Sequence, residues 1–213
     1  MKAAGSAGEP SARTKARWSK PRSPSFAADA ERGPRLVTTT PVLILPGYGN
    51  SGPEHWQSLW QASGSAFRRV AQRDWLMPER VEWLAALDRE IAACAAPPVL
   101  IAHSLGCALV AHHVKAGGRA VRAALLVAPA DVEMVAMVLE SVQSFAPMPL
   151  VTLPFPSIVV ASTDDPYVTP ARAEAFARAW GSRVVTLTGA GHINTDSGFG
   201  AWPEGRRLLD ELL

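Results

Sequence analysis

One serine in this chain stands in a setting that suits a catalytic nucleophile. Ser104 lies in the segment 102–106 (AHSLG), directly after the apolar run 98–101 and before the apolar segment 107–111. This order predicts a strand, a sharp turn with Ser104 at its tip and a helix, because small residues on both sides let strand and helix approach closely. The N–H groups after such a turn point to where an oxyanion would form. Ala102 stands where glycine is usual, so an ordinary strand-to-helix turn that contains a serine fits this segment equally well.

An acid and a histidine follow later predicted strands, in an order that would complete such a site. Asp164 and Asp165 follow one predicted strand, and His192 follows the next. Because ligands bind at the carboxyl ends of strands in parallel sheets, these side chains are expected near Ser104. His192 would accept the serine proton and return it to the leaving group, while the carboxylate would hold the histidine tautomer. Serine, aspartate and histidine in this chain order are typical of α/β-hydrolases.

Two adjacent aspartates compete for the role of the acid. Pro166 fixes the turn beyond Asp165, and this arrangement favours Asp165 as the partner of His192. Asp164 would then be a turn residue. The sequence favours the first alternative and leaves the second open.

The loop after the first predicted strand, residues 46–52, is rich in glycine. Glycines let the backbone turn tightly and present N–H groups, and the N–H of Tyr48 is a candidate oxyanion donor. The loop lacks the Gly-Lys-Ser/Thr ending of a P-loop, and it fails the Gly-x-Gly-x-x-Gly dinucleotide fingerprint, since no acidic residue closes a plausible second strand. Nucleotide binding is therefore the weaker interpretation.

Apolar, β-branched runs alternate with segments of helical spacing along the chain. Strands are predicted at residues 42–45, 67–71, 99–102, 123–127, 158–161 and 184–187. Helices are predicted after Ser104 and at residues 54–63, 78–95, 171–180 and 204–212. The predicted helix 78–95 is expected to bury one face, formed by Val81, Leu84, Leu87 and Ile91. The alternation predicts an α/β fold with a mostly parallel sheet of about six strands flanked by helices.

The segment that follows the fourth predicted strand is a candidate lid. Residues 131–148 are apolar enough to cover a site, but the segment is short. This predicts a minimal cap, and a small cap argues weakly against large lipids as substrates.

Charge divides the chain into a basic tail and a mildly acidic body. Residues 1–35 hold eight Lys or Arg and three Asp or Glu, and the rest holds 13 basic and 16 acidic residues. The tail, residues 1–38, is rich in Ala, Ser, Pro and Arg without periodicity, which predicts disorder. Residues 39–213 fit one domain. This body offers no basic, aromatic-interleaved face for nucleic acid.

Composition also restricts the compartment. No apolar run approaches the roughly 20 residues of a membrane span, and the tail lacks the apolar core of a secretory signal. Cys94 and Cys107 match neither a zinc site nor a disulfide framework. Free thiols in a reducing compartment are the expectation, so we predict a cytoplasmic protein.

Four segments together resemble a known family. They are LPGYGNSGPEHW (45–56), AHSLG (102–106), STDDPY (162–167) and GAGH (189–192). They resemble small serine hydrolases of the α/β-hydrolase superfamily and, more narrowly, the compact family that includes retinoblastoma-binding protein nine and its bacterial relatives. The resemblance covers about residues 42–213. It implies a single-domain α/β-hydrolase fold.

The resemblance also implies roles for particular residues. Ser104 would be the nucleophile, Asp165 the acid and His192 the base, with oxyanion donors at the backbone N–H groups of Tyr48 and Leu105. The implied function is hydrolysis of a small ester, thioester or amide through an acyl-enzyme, with no cofactor and no metal. The alternative is a partner-binding protein that keeps the fold with weak or no catalysis. Nothing in the sequence supports a particular protein partner.

The substrate pocket is the least specified part. His55, Trp56, Tyr167 and Asn194 are candidate pocket residues. Trp56 has a second interpretation, because Trp56 and Trp60 form an i,i+4 pair that would pack a helix face on the sheet. The sequence specifies neither the substrate nor the oligomeric state.

Overall fold

Six strands form one parallel sheet in the order β2-β1-β3-β4-β5-β6. The computed structural model describes residues 40–213, so the tail predicted at 1–38 lies outside the described residues. The strands are β1 (Val42–Leu45), β2 (Phe67–Arg69), β3 (Val99–His103), β4 (Ala123–Val127), β5 (Ser157–Ser162) and β6 (Arg183–Leu187). The helices are α1 (Trp56–Ala62), α2 (Arg80–Ala92), α3 (Leu105–Lys115), α4 (Val132–Ala136), α5 (Pro170–Trp180) and α6 (Pro203–Asp210), with 3₁₀ turns at Glu140–Phe145 and Thr195–Ser197.

The central strands are buried throughout because helices cover both faces of the sheet. Every residue of β1, β3 and β4 is buried. Successive side chains of a strand point to opposite faces. Leu43 of β1 therefore packs in the layer that contains α2, α3 and α5, whereas Ile44 packs in the layer that contains α1 and α6. The predicted α/β architecture with about six parallel strands is confirmed.

The chain changes direction across the sheet at β1. This strand pairs with β2 on one side and with β3 on the other. The helix after β1 lies on one face of the sheet, and the helix after β3 lies on the opposite face. The loops that leave these two neighbouring strands therefore diverge, and such a point is where open α/β sheets form a crevice for ligands.

The segment between β4 and β5 forms the minimal cap that the sequence predicts. It consists of α4 and the 3₁₀ turn Glu140–Phe145. Arg172 of α5 holds the start of this segment, because its guanidinium lies 3.0 Å from carboxylate oxygens of both Asp131 and Glu133. At the other end, an imidazole nitrogen of His112 lies 2.7 Å from the carbonyl oxygen of Phe145.

The buried face of α2 differs from the prediction. Val81 is 71% exposed, and the buried residues are Trp83, Ala86, Leu87 and Ile91. The larger Trp83 takes the central position, since its ring contacts Trp75 and Phe145. Burial of this indole turns the helix so that Val81 faces outward.

None of the helices within residues 40–213 is both long and apolar enough to cross a membrane.

Candidate active site

Ser104 occupies a strained turn between β3 and α3. Its backbone has φ 55° and ψ −121°, a left-handed conformation that costs a non-glycine residue about 1–3 kcal/mol. The Ser104 N–H donates to the carbonyl of Val127 at 3.0 Å, which ties the turn to the neighbouring strand β4. The predicted strand, turn and helix are thus present, and the turn holds the serine between two elements whose positions are fixed.

Two glycines let the first loop approach this turn. A Cβ atom on Gly47 would lie 2.8 Å from the Cβ of Ser104, and a Cβ on Gly106 would collide with the carbonyl oxygens of Leu45 and Pro46. Only glycine fits both positions without a shift of the backbone. Ala102, which departs from the usual glycine, is fully buried in the core, and its methyl group is accommodated there.

Substitution of Gly106 by alanine is expected to lower the free energy of unfolding by about 1–3 kcal/mol, the range for an overpacked site. The added methyl group meets backbone carbonyl oxygens, which cannot rotate away. Chemical denaturation followed by circular dichroism measures the change. Gly64→Ala is the matched control, because nothing lies within 4 Å of the added Cβ there. Equal stability of the two variants would contradict the predicted close contact.

The two predicted oxyanion donors lie on either side of the close approach between Gly47 and Ser104. Leu105 is the first residue of α3, and Tyr48 directly follows Gly47. Neither N–H has a hydrogen-bond partner among residues 40–213. Tyr48, Ser104 and Leu105 line the same pocket. Two free N–H groups beside a serine have the composition of an oxyanion hole.

His192 and Asp165 form a buried pair. His192 Nδ1 lies 2.9 Å and 3.0 Å from the two carboxylate oxygens of Asp165. The Asp165 side chain is fully buried, and it also accepts a hydrogen bond from the N–H of Tyr167 at 2.8 Å. A carboxylate at Nδ1 holds the proton on that nitrogen and leaves Nε2 as an acceptor. The structure therefore pairs His192 with the aspartate that the sequence favours.

Asp164 has a separate role in the loop that carries His192. Its carboxylate accepts hydrogen bonds from the hydroxyl of Ser162 at 2.7 Å and from the N–H of Gly191 at 2.8 Å. These bonds lower the pKa of Asp164, and the bond from Ser162 has the larger effect. Sequence reasoning described Asp164 only as a turn residue and did not identify this anchoring.

Further contacts fix the loop around His192. Ser162 Oγ accepts from the N–H of Ala190 at 3.0 Å, and Ser197 Oγ accepts from the N–H of His192 at 3.1 Å. The Trp56 indole donates to the carbonyl of Ile193 at 2.9 Å. These anchors were not predicted, although small hydroxyl residues beside a glycine-rich loop are a sequence signal for side-chain bonds to the backbone.

His103, the residue before Ser104, supports the same loop. Its Nε2 lies 2.9 Å from the carbonyl oxygen of His192, so Nε2 carries the proton and donates it. Burial is the largest cause that holds the pKa of His103 well below 6.5, and the nearby His192 and His55 lower it further. His103 is therefore neutral, as its donor role requires.

Side chains from the cap and from the loops that carry Ser104 and His192 line one pocket of about 290 Å³. Three of the four predicted pocket residues, His55, Tyr167 and Asn194, belong to its wall. Trp56 does not, because it is fully buried against Trp60 and Trp202. Trp56 therefore has the packing role that the sequence offered as its second interpretation. Its indole also bonds to the loop that carries His192. The apolar part of the wall consists of Leu105, Ala130, Val132, Val135, Leu139 and Val142.

His55 is a buried neutral histidine at the edge of this pocket. It caps α1, where its Nδ1 accepts a hydrogen bond from the N–H of Gln57 at 3.2 Å. The pKa of His55 is lowered to about 4. Burial is the largest cause, and the nearby Arg69 and His192 add to it. Its other nitrogen, Nε2, is buried without a hydrogen-bond partner within residues 40–213.

The two neutral histidines predict a loss of stability in mild acid. Just below pH 6.5, His55 and His103 bind a proton in the unfolded chain and not in the folded one, since folding lowers both pKa values. Unfolding is therefore favoured as the pH falls from 6.5 towards about 4. Each histidine contributes a slope of about 1.4 kcal/mol per pH unit. Denaturation curves measured at several pH values test this, and His103→Gln should reduce the slope by one histidine's share. An unchanged slope in that variant would contradict the assignment.

Among residues 40–213, no group of three or more His, Cys, Asp or Glu is arranged to hold a metal ion.

The sheet order, the serine turn after β3 and the histidine after β6 define an α/β-hydrolase fold. Solved structures agree with it. A YdeN-like hydrolase from Pectobacterium atrosepticum is 34% identical, with a TM-score of 0.73, and the match covers 81% of this chain and 90% of that chain. The ydeN gene product of B. subtilis is 22% identical, with a TM-score of 0.65, over 81% and 98% of the two chains. Est1E from Butyrivibrio proteoclasticus is 12% identical, with a TM-score of 0.59, over 80% and 88%.

Residues 42–211 match the family model described as Serine hydrolase. The chain belongs to this family and is an α/β-hydrolase enzyme. No curated protein matches the sequence. The narrower resemblance to the retinoblastoma-binding protein nine family stays a prediction.

Proposed function

We propose that the protein hydrolyses a small ester, thioester or amide through an acyl-enzyme, with Ser104 as nucleophile, His192 as base and Asp165 as acid. The observation that carries the proposal is the shared pocket, which Ser104 and His192 both line while Asp165 binds His192 Nδ1 from behind. The fold and the family support hydrolysis in general. The roles of the three residues are inferred from these contacts.

In the first half of the proposed reaction, Ser104 Oγ attacks the carbonyl carbon of the substrate as its proton moves to His192 Nε2. The carbonyl electron pair moves to oxygen, and the N–H groups of Tyr48 and Leu105 stabilise the resulting oxyanion. The intermediate collapses, and the leaving group departs with the proton from His192. Asp165 stabilises the imidazolium that exists between the two proton transfers.

In the second half, water replaces the leaving group. His192 removes a proton from the water molecule, whose oxygen attacks the acyl carbon. The second oxyanion collapses, Ser104 Oγ recovers the proton from His192, and the carboxylic acid is released. Every proton and bond in this cycle is supplied by the chain, the substrate and water.

The pocket supports a small acyl or leaving group. A volume of about 290 Å³ is at the low end for ligand sites. The apolar side chains of the cap favour a hydrocarbon portion of modest length. In a series of p-nitrophenyl esters, kcat/KM is expected to rise from acetate to chains of a few carbons and then to fall.

A fluorophosphonate probe tests the proposed nucleophile directly. The probe should react with the folded wild-type protein at neutral pH, and peptide mass spectrometry should locate the adduct on Ser104. Heat-denatured protein is the control, because labelling requires the assembled site. Absence of labelling, or an adduct on a different serine, would refute the proposal.

The cysteines support a proposed cytoplasmic location. Cys94 and Cys107 are both free thiols. Unpaired cysteines are typical of proteins kept in a reducing compartment. Cell fractionation with an antibody against the protein tests this proposal, and recovery from the periplasmic or secreted fraction would refute it.

A further inference from the structure

Three polar side chains of the pocket wall use their acceptor atoms inside the protein. The side-chain oxygen of Asn50 accepts a hydrogen bond from the guanidinium of Arg69. The side-chain oxygen of Asn194 accepts from the N–H and hydroxyl of Ser197, at 3.0 Å and 2.9 Å. His55 Nδ1 accepts from a backbone N–H of helix α1. Each of these acceptor atoms faces an N–H or guanidinium donor. This requirement determines which way each amide and the imidazole are turned.

This arrangement leaves donors for the pocket. Asn50 and Asn194 each retain an NH₂ group, and neutral His55 retains an N–H at Nε2. All three residues line the pocket beside Ser104. His55 is 6% exposed, and its Nε2 is buried with no partner within the described residues. A buried donor without a partner is costly, and a ligand that supplies an acceptor removes that cost.

The charges around the donors are of both signs, so they do not select an anionic ligand. Among residues 40–213, no carboxylate lines the pocket itself. Glu54 and Asp196 lie in the wall of an adjoining open depression, which shares His55 and Asn194 with the pocket. Arg69 lies behind Asn50, and its hydrogen bonds within residues 40–213 go to neutral groups of Asn50, Gln61, Ser51 and Ser58. The two carboxylates repel a negatively charged ligand and the Arg69 guanidinium attracts it, so these charges oppose each other and the uncharged donor groups set the preference for an acceptor.

We propose that Asn50, His55 and Asn194 form a subsite for a second, neutral carbonyl oxygen of the substrate, so that the preferred substrates are keto esters or diesters with a short hydrocarbon part against the cap. This inference rests on the proposed hydrolase function and names its substrate class. A carbonyl accepts and does not donate, so it satisfies a wall of donors without leaving an O–H unpaired.

Matched ester pairs test the subsite in turnover. The first pair is p-nitrophenyl 4-oxopentanoate and p-nitrophenyl pentanoate, which differ by one carbonyl in the acyl part. The second pair, 2-oxobutyl butanoate and butyl butanoate, places the carbonyl in the alcohol part. In one pair the keto member is expected to have a kcat/KM about tenfold higher, as expected for one good hydrogen bond. Equal values within both pairs would overturn the proposal. A larger gain with p-nitrophenyl hydrogen succinate would also overturn it, in favour of an anion site.

Conservative variants connect the preference for keto esters to Asn194 and His55. Asn194→Asp keeps the oxygen that Ser197 needs and replaces the donor NH₂ by an acceptor oxygen. His55→Asn keeps an acceptor for the N-terminus of α1 and removes the Nε2–H. Both variants should lose the tenfold keto preference. Thr195→Asp is the control, since it adds a charge to the same loop outside the pocket and should retain the preference. Retention of the preference in Asn194→Asp and His55→Asn would contradict the assignment.

Binding to the Ser104→Ala variant separates this inference from the proposed function. Titration calorimetry with the intact esters needs no turnover. If the wild-type protein hydrolyses neither pair, the function proposal fails and binding alone decides the subsite. Tighter binding of a keto member then supports the subsite, and equal binding refutes it.

Discussion

Replacement of Ser104 by alanine is expected to lower kcat for a p-nitrophenyl ester by at least about 10⁴-fold, because removal of a catalytic serine costs up to about 10⁶-fold in comparable enzymes. The residual rate would come from the oxyanion donors and from binding alone. The alanine keeps the left-handed backbone that Ser104 adopts, so the free energy of unfolding should change little. Initial rates followed at the absorbance of p-nitrophenolate provide the measurement.

The control for this variant is Ser63→Ala. Ser63 is an exposed serine at the end of α1, outside the pocket. It should keep the wild-type rate. If Ser104→Ala keeps most of its activity while folded, as judged by circular dichroism, Ser104 is not the nucleophile and the proposed acyl-enzyme is excluded.

Replacement of Asp165 by asparagine is expected to reduce kcat by about 10⁴-fold, the loss typical of a triad whose acid is neutralised. The amide no longer holds the proton on His192 Nδ1. The imidazole then carries its proton on Nε2 and cannot accept the proton of Ser104. The substitution preserves the size of the side chain, so the loss reflects the tautomer and the missing charge.

Asp164→Asn is the matched comparison, since it makes the same change one residue earlier. The asparagine keeps a side-chain oxygen that can accept from Gly191 and Ser162, so a loss below about tenfold is expected, the value of about one weakened hydrogen bond. Steady-state kinetics of both variants against one ester decide between the two aspartates. Equal losses, or a larger loss in Asp164→Asn, would reverse the assignment.

The fold was predictable because local pattern and burial agree in it. The apolar runs 42–45 and 123–127 match β1 and β4 in both bounds, since each run lies in the centre of a sheet that is covered on both faces. Helix ends were less predictable. The predicted helix 78–95 is Arg80–Ala92 in the structure. Its buried face also depends on where Trp83 finds aromatic neighbours, which the chain order does not reveal.

The site was predictable where a residue follows a strand end. Ser104 and His192 each follow a strand of the sheet, and Pro166 was enough to favour Asp165. Contacts between distant segments were not predictable. The bond from His103 to the carbonyl of His192 joins residues 89 positions apart. For Trp56 the sequence offered a pocket role and a core role and slightly favoured the core, and the packing against Trp202 agrees with the core role.

The cap differs from the rest of the pocket in how it is held. Ser104 and His192 lie on loops bonded to strand ends, whereas most of the apolar wall comes from residues 131–148, whose two ends are held by the side chains of Arg172 and His112. The reacting groups and most of the apolar wall for the hydrocarbon part of the substrate therefore reside in separately built parts of the molecule. Exchange of this short segment between relatives is a route to new acyl preferences, because the replacement leaves the reacting atoms and their supports in place. Enzymes made in this way would share one reaction cycle and differ in the substrates that enter it.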